Sequence, residues 1–296
     1  MRVASIGEIL WDVIGESEFL GGAPFNLCGH LARLGHKAMI VSAVGNDERG
    51  ERALAKAAEI GIDTRFAKRT GDAPTGISRV VLDAEGRATH EIVRPAAYDF
   101  VSLTEGQLGD LAANRPAWIC YGTLTQIAPR PRAVLNQLFQ RITTAKRFYD
   151  LNLRPNCWST ELVSDLLAHA HSVKLNEEEA GILANVFSLS KSFRPFCEEA
   201  ARRFHLETLC ITRGPDGCAL FSDGAFIESP GFSISVADTV GAGDAFSAAL
   251  LHGFHKGWRL PEIAEFANRV GALVASRSGA MPAWTEREAR ELSNRS

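Results

Sequence analysis

Short apolar runs in this chain are each followed by a helical pattern, and this alternation restricts the fold more than any other feature. "RVASIG" leads into "NLCGHLARLG", "KAMIVSAVG" into "RGERALAKAAEIG", "WICYG" into "RAVLNQLFQRI", "KRFYDLN" into "TELVSDLLAHA" and "SVKLN" into "EEEAGILANV". A strand covered on both faces reads as a continuous apolar run, and parallel neighbours need a crossover helix between them. The expected class is therefore α/β, with a central, mostly parallel β-sheet flanked by helices. Two stretches break the rhythm. "ILWDVIGESEFLGG" (9–22) and "TGISRVVLDAEGRATHEIVRP" (75–95) interleave apolar and polar residues without a helix, with a turn expected at Asp83 to Gly86. Neither could fold alone, so both are expected to join one small sheet that lies across the main domain as a lid. The predicted division is a core from 1–8, 21–71 and 101–296 and a β-lid from 9–20 and 72–100.

Composition narrows the function. The formal net charge of -3 provides no global basic field, which argues against a nucleic-acid or membrane-surface binder. Charged residues at 23% and hydrophobic ones at 46% are ordinary for a folded globular protein. The six cysteines (Cys28, Cys120, Cys157, Cys197, Cys210, Cys218) form no CxxC pair and lie in mostly apolar surroundings, as buried thiols of a reduced compartment do. With no signal-peptide pattern at "MRVASIGEIL", the expected location is the cytoplasm. The histidines (His30, His36, His90, His169, His171, His205, His252, His255) show no metal-binding spacing and read as ordinary surface or core residues.

Chemistry concentrates in "DTVGAGDAFSAALLHGF" (238–254), a glycine-bearing loop, a lone carboxylate and an apolar helix. Gly241, Ala242 and Gly243 present almost no side chain, so an anion can reach the amides at the helix start and feel the positive end of its dipole. Asp244 in the first turn also suits the dipole as a plain capping acid. Two other phosphate motifs fail: a Walker A loop needs Gly-Lys-Ser/Thr and the chain has no Gly-Lys pair, and a dinucleotide fingerprint needs a small residue where Phe246 stands.

"DTVGAGDAF" (238–246) resembles the C-terminal signature of the ribokinase-like, or PfkB, carbohydrate kinases, and "GGAPFNLCGHLARLG" (21–35) resembles their N-terminal signature. With "KLNEEE", "ITRGPDGCAL" and "SRSGAMP" the likeness covers nearly the whole chain. "GEILWD" (7–12) and "DLNLRPNCW" (150–158) most resemble fructokinases, although ketodeoxygluconate kinases share much of the pattern. The resemblance implies a ribokinase-like fold, ATP and Mg²⁺ as cofactors and a small-molecule sugar as substrate. It implies that Asp244 is the general base and that the amides of Gly241, Ala242 and Gly243 hold the phosphoryl charge. Gly21, Gly22, Asn26 and Asp12 would bind the sugar, with Asn26 using both ends of its amide. Asn152 and Arg154 would border sugar and phosphate, sharing a strand face with Asp150 by alternation, and Arg94 is a further candidate. Thr212, Gly214 and Gly217 would lie along the triphosphate; the bare reading of that stretch is a Gly-Pro-Asp-Gly hairpin turn. Asn268 would sit near the adenine or be an exposed helix amide, and Gly279 would belong to the loop closing over the nucleotide. Asn176 and Glu179 form a near capping box and would also organise Mg²⁺ through water. Asp238 and "SRSGAMPA" resemble a monovalent-cation (K⁺) site; where a hydroxyl ligand can stand after the Gly-Ala pair in relatives, this chain has Ala283.

Gly122 and Thr123 occupy the place where a ribose-directed branch of the family carries a carboxylate, which favours fructose as acceptor. Ketodeoxygluconate, another sugar or a nucleoside stays open as the acceptor, and so does a non-catalytic sugar- or nucleotide-binding regulator. Lid closure is expected to exclude water, and the lid strands to form a homodimer surface.

Overall fold

The computed structural model describes residues 1–82 and 88–293, with side chains outside 80–90; the expected turn at Asp83 to Gly86 and the side chain of His90 lie outside the described residues. The strands are β1 (Arg2–Ile6), β2 (Leu10–Ile14), β3 (Ser17–Gly21), β4 (Lys37–Gly45), β5 (Ala67–Thr70), β6 (Gly76–Leu82), β7 (Ala88–Ile92), β8 (Trp118–Gly122), β9 (Lys146–Asp150), β10 (Ser172–Asn176), β11 (Thr208–Thr212), β12 (Cys218–Ser222) and β13 (Ala225–Ser229). Nine of them form one sheet in the order β13-β12-β11-β10-β9-β8-β1-β4-β5. It is parallel from β5 to β11, and β12 and β13 add an antiparallel edge. A second sheet, β3-β2-β6-β7, joins the two stretches that broke the helical rhythm. Register places Asp12 opposite Phe19 and beside Ser78.

Side-chain alternation along the parallel strands builds two cores, one on each face of the large sheet. Ile6, Val41, Tyr121, Tyr149 and Val173 face one way, with Leu135, Leu166 and Leu183 among the residues packed there. Val3, Ile40, Cys120, Phe148 and Cys210 face the other, against helices Ala23–Arg33, Ala242–Lys256 and Leu260–Ala275. Within Ala242–Lys256 the small residues Ala245, Ala248 and Ala249 are completely buried, letting neighbouring helices approach closely, while Leu250 and Leu251 fill the core. Each leucine so buried contributes about 2 kcal/mol. All six cysteines are buried free thiols.

From β1 the chain runs outward to β4 and β5, then returns to the other side of β1 at β8 and continues to β9, β10 and β11. The strand order therefore reverses between β1 and β8, the place where open α/β sheets gather ligands at the carboxyl ends of their strands. The lid is tied to the helix Glu48–Glu59 beside that crevice. Glu18 on β3 pairs with Arg49 and Arg52, and the Trp11 indole N–H donates to the Arg49 carbonyl at 3.1 Å. Asp47 caps the same helix through the Gly50 N–H and also accepts from the Thr75 N–H and hydroxyl at 2.8 and 2.6 Å, fixing the point where β6 departs. The segment Ala97–Phe100 forms a short 3-10 turn against the core, with Tyr98 fully buried.

Candidate active site

Two cavities meet at the carboxyl ends of the parallel strands. One, of about 270 Å³, lies between the lid and the core and is walled by Glu8, Asp12, Asn26, Asn152, Arg154 and Asp244. The other, of about 440 Å³, has a mostly apolar wall that includes Gly214, Gly217, Phe232, Val236, Phe246 and Asn268. Asn176, Thr212, Thr239 and Gly243 line both cavities and mark the passage between them. A polar chamber suits a hydroxylated ligand, and an apolar one suits a nucleotide base.

The helix Ala242–Lys256 ends at this passage. Its cap is Gly241, whose φ of 77° is a left-handed conformation that glycine adopts without strain. A Cβ there would stand 2.2 Å from the Ala280 carbonyl oxygen, so the bare backbone also admits the loop after Leu260–Ala275. Gly243 has a different reason: a Cβ would lie 3.0 Å from the Lys174 ammonium. Asp238 clamps the same region, accepting from the Val240 N–H and the Gly279 N–H at 3.0 Å each. His30 braces the loop from below, accepting from the Trp284 indole and donating to the Ala280 carbonyl, each at 3.1 Å. Burial lowers His30 to about 4, which keeps the neutral ring this arrangement needs.

Asp244 stands in the first turn of that helix, and its carboxylate accepts a 2.8 Å hydrogen bond from the Asn26 amide nitrogen. Desolvation, then the charge of Asp150, raises its pKa to about 7; the Asn26 hydrogen bond, Lys174 and Arg154 oppose that rise. A carboxylate so placed titrates near neutrality, as a general base should. One end of the Asn26 amide is thus committed to Asp244. Its oxygen, in a side chain only 3% exposed, is left without a protein partner and is available to a ligand hydroxyl. Gly21 lies against Asp12, where a Cβ would come 2.9 Å from the carboxylate, and a Cβ on Gly22 would meet the Glu8 carbonyl oxygen at 2.5 Å.

The expected shared face of Asp150, Asn152 and Arg154 is corrected by the structure. Strand β9 stops at Asp150, and Asn152 has a left-handed φ of 44°, so alternation ends before it. Asp150 turns under the helix Ala242–Lys256, pairing with Lys174 at 3.1 Å and accepting from the Ser247 hydroxyl at 2.8 Å. Asn152 and Arg154 reach the polar cavity from the irregular segment that follows. Arg94 sits beside the site with its guanidinium engaged by the protein. Its partners are Asp99 and the Leu124 carbonyl, and it is absent from the polar cavity's wall. Asn268 is buried and not an exposed helix amide; it lines the apolar cavity, where its amide nitrogen holds Ser229 and Pro230.

Thr212, Gly214 and Gly217 line the apolar cavity, with a single 3-10 turn, Gly214–Asp216, between β11 and β12. Ala242 borders it too, and the Gly279 N–H is tied to Asp238. Asn176 and Glu179 form a complete capping box: the Asn176 oxygen accepts from the Glu179 N–H, and Glu179 accepts from the Asn176 N–H, both at 2.8 Å. The other Glu179 oxygen accepts from the Leu153 N–H at 2.7 Å, pinning the segment that carries Asn152 and Arg154. Burial raises Glu179, opposed first by Lys174.

Three site residues escaped the sequence reading: Glu8, Lys174 and Thr239. Lys174 had a signal, because a lysine between Val173 and Leu175 in a central strand requires a buried partner. Glu8 follows β1 at the switch point and accepts from the Ala23 N–H at 3.1 Å; burial raises its pKa.

Comparison with known proteins identifies the family. A family profile described as "pfkB family carbohydrate kinase" matches residues 2–287. Fructokinase-1 of Zea mays is 30% identical over 98% of this chain and 97% of its own length. The fructokinase of Escherichia coli is 28% identical, covering 98% of each chain. The crystal structure of fructokinase with bound ATP from Xylella fastidiosa superposes with a TM-score of 0.86 at 25% identity, over 98% of this chain and 97% of that one. The fold alone is shared with 2-dehydro-3-deoxygluconokinase of Thermotoga maritima, at a TM-score of 0.85 and 21% identity over 98% of each chain.

Proposed function

The chain belongs to the pfkB family of carbohydrate kinases, and from that premise we propose that it transfers the γ-phosphoryl group of ATP to a primary hydroxyl of fructose. The observation that carries the reading is Asp244, held by Asn26 in the polar cavity and next in sequence to Gly243, which lines both cavities. The sugar occupies the polar cavity, with Asn26, Asp12, Asn152 and Arg154 reading its hydroxyls. ATP lies in the apolar cavity along Thr212, Gly214 and Gly217, with its γ-phosphate at the amides of residues 241–243. Asp244 takes the hydroxyl proton as the sugar oxygen attacks phosphorus in line with the departing ADP. Phosphoryl transfer depends mostly on positioning and charge stabilisation, and both derive from the helix start.

Mg²⁺ enters this scheme with the nucleotide. Among the described residues no group of three or more His, Cys, Asp and Glu side chains is arranged to hold a metal ion. Each Glu179 oxygen already accepts a backbone N–H. Asn176 and Glu179 therefore fit an outer-sphere role, touching waters of a Mg²⁺ carried by the phosphates. When bound, the ion neutralises phosphate charge.

Charge supports a neutral sugar over a sugar acid. Glu8, Asp12 and Asp244 line the polar cavity with two cations, Arg154 and Lys174, so carboxyl groups outnumber cations there. The carboxylate of ketodeoxygluconate would enter beside three acids, whereas fructose offers them donors. The test is ADP release with Mg-ATP across fructose, ketodeoxygluconate, ribose, glucose and adenosine. Turnover preferring fructose supports the reading, and preference for the sugar acid moves the acceptor to that class. The lid sheet would serve as the dimer surface, with Ile14 and Phe19 exposed on it.

A further inference from the structure

Lys174 stands where no surface lysine would be. It is 7% exposed, in the central strand β10, and register sets it beside Asp150 of β9. Asp150 grips the ammonium at 3.1 and 3.4 Å and is itself held by the Ser247 hydroxyl, so the cation is fixed in place. Burial opposes its charge, but Asp150, Glu179 and Asp244 outweigh burial and keep it protonated. The ammonium comes within 3.0 Å of where a Cβ on Gly243 would be, and Gly243 is one of four residues lining both cavities. Lys174 itself lines the polar cavity with Asp244. It is therefore a buried, oriented positive charge at the crossing point between donor and acceptor chambers.

We infer that Lys174 is a further catalytic residue of the phosphoryl transfer, its ammonium completing the anion hole formed by the helix amides. The inference rests on the kinase reading above. In the step, the sugar O–H proton goes to the Asp244 carboxylate and the sugar oxygen bonds to the γ-phosphorus. The bond from phosphorus to the bridging oxygen breaks, and its electron pair leaves with ADP. Lys174 gives and takes no proton. It holds the charge on the phosphoryl oxygens in transit, while Asp150 fixes the ammonium against the sheet. Such a preorganised donor acts on the transition state more than on bound substrate.

The test compares wild type with Lys174→Met and with Asp150→Asn/Lys174→Met. The double variant removes both charges, so a folded protein is obtained even if the single variant, with Asp150 buried and unpaired, does not fold. Sugar-dependent kcat should fall about 10²-fold or more in either variant, with KM for sugar and ATP changed less than about threefold. Titration calorimetry with fructose present should show that ADP with aluminium fluoride, a mimic of the phosphoryl in flight, loses at least about thirtyfold in affinity. ADP alone should bind as in wild type. Wild-type kcat and wild-type affinity for the mimic in the double variant would overturn the inference. If wild type itself neither turns over with sugar nor prefers the mimic to ADP, the kinase reading fails first and the inference with it.

Discussion

Replacing Asp244 with Asn should abolish turnover yet stabilise the protein, and the gain should depend on pH. Desolvation and the charge of Asp150 raise the Asp244 carboxyl from 3.8 to about 7 in the folded chain. Because the folded value lies above the unfolded one, the native state favours the protonated acid. That stabilisation is complete below about pH 4 and is lost as pH rises through 7. The shift of roughly three pKa units corresponds to about 4 kcal/mol over the whole range, of which about 3 kcal/mol falls between pH 5 and pH 8. Solvent reaching the cavity reduces this toward about 1 to 2 kcal/mol. The substituted amide would retain an oxygen to accept from Asn26, so the 2.8 Å contact survives and the charge alone is removed. Urea unfolding of both proteins at the two pH values measures the difference. The variant's advantage should be larger at pH 8 than at pH 5 by at least about 1 kcal/mol. An advantage equal at both, or larger at pH 5, would refute the claim that the native site opposes ionisation of Asp244.

The same pKa sets the acid limb of kcat/KM for the sugar near pH 7, so the rate at pH 6 should be about a tenth of its plateau. Asp150→Asn should move that limb to lower pH by removing the neighbouring negative charge, and an unmoved limb would exclude Asp150 as a cause. Gly241→Ala meets both a φ of 77° and the Ala280 oxygen, so it should cost about 1 to 3 kcal/mol in denaturant unfolding and most of kcat. Retention of wild-type activity would show that the loop tolerates a side chain. If the lid forms the dimer, light scattering should give a dimer for wild type and a monomer for Phe19→Glu; a monomeric wild type would remove the lid from that role.

The fold was legible because its strands and helices carry separate signals. "KAMIVSAVG" is apolar enough to be covered on both faces, and "RGERALAKAAEIG" shows one apolar stripe. The lid was legible from the loss of that rhythm, although no local rule shows that Ala97–Phe100 returns to the core through Ala97 while Tyr98 packs on Leu10 and Ala96. At the site, glycines revealed where backbone approaches closely but not what approaches: Gly241 admits the Ala280 carbonyl and Gly243 the Lys174 ammonium. Strand periodicity also failed at Asn152, because it assumes an extended chain and this residue is left-handed. Arg94 was a candidate from its place at the end of the lid segment, and its bonds to Asp99 and the Leu124 carbonyl depend on the fold. Lys174 and Asp150 lie 24 residues apart, and only the pairing of β9 with β10 brings them together.

Single-turnover transfer from ATP labelled at its γ-phosphate, followed by rapid quench with fructose present, decides whether Asp244 drives phosphoryl transfer to the sugar. The wild-type protein should move the label onto a primary hydroxyl of the sugar, and Asp244→Asn should bind both ligands yet transfer it at least about 10²-fold more slowly. Label released to water, or transfer at the wild-type rate in the variant, would contradict the account.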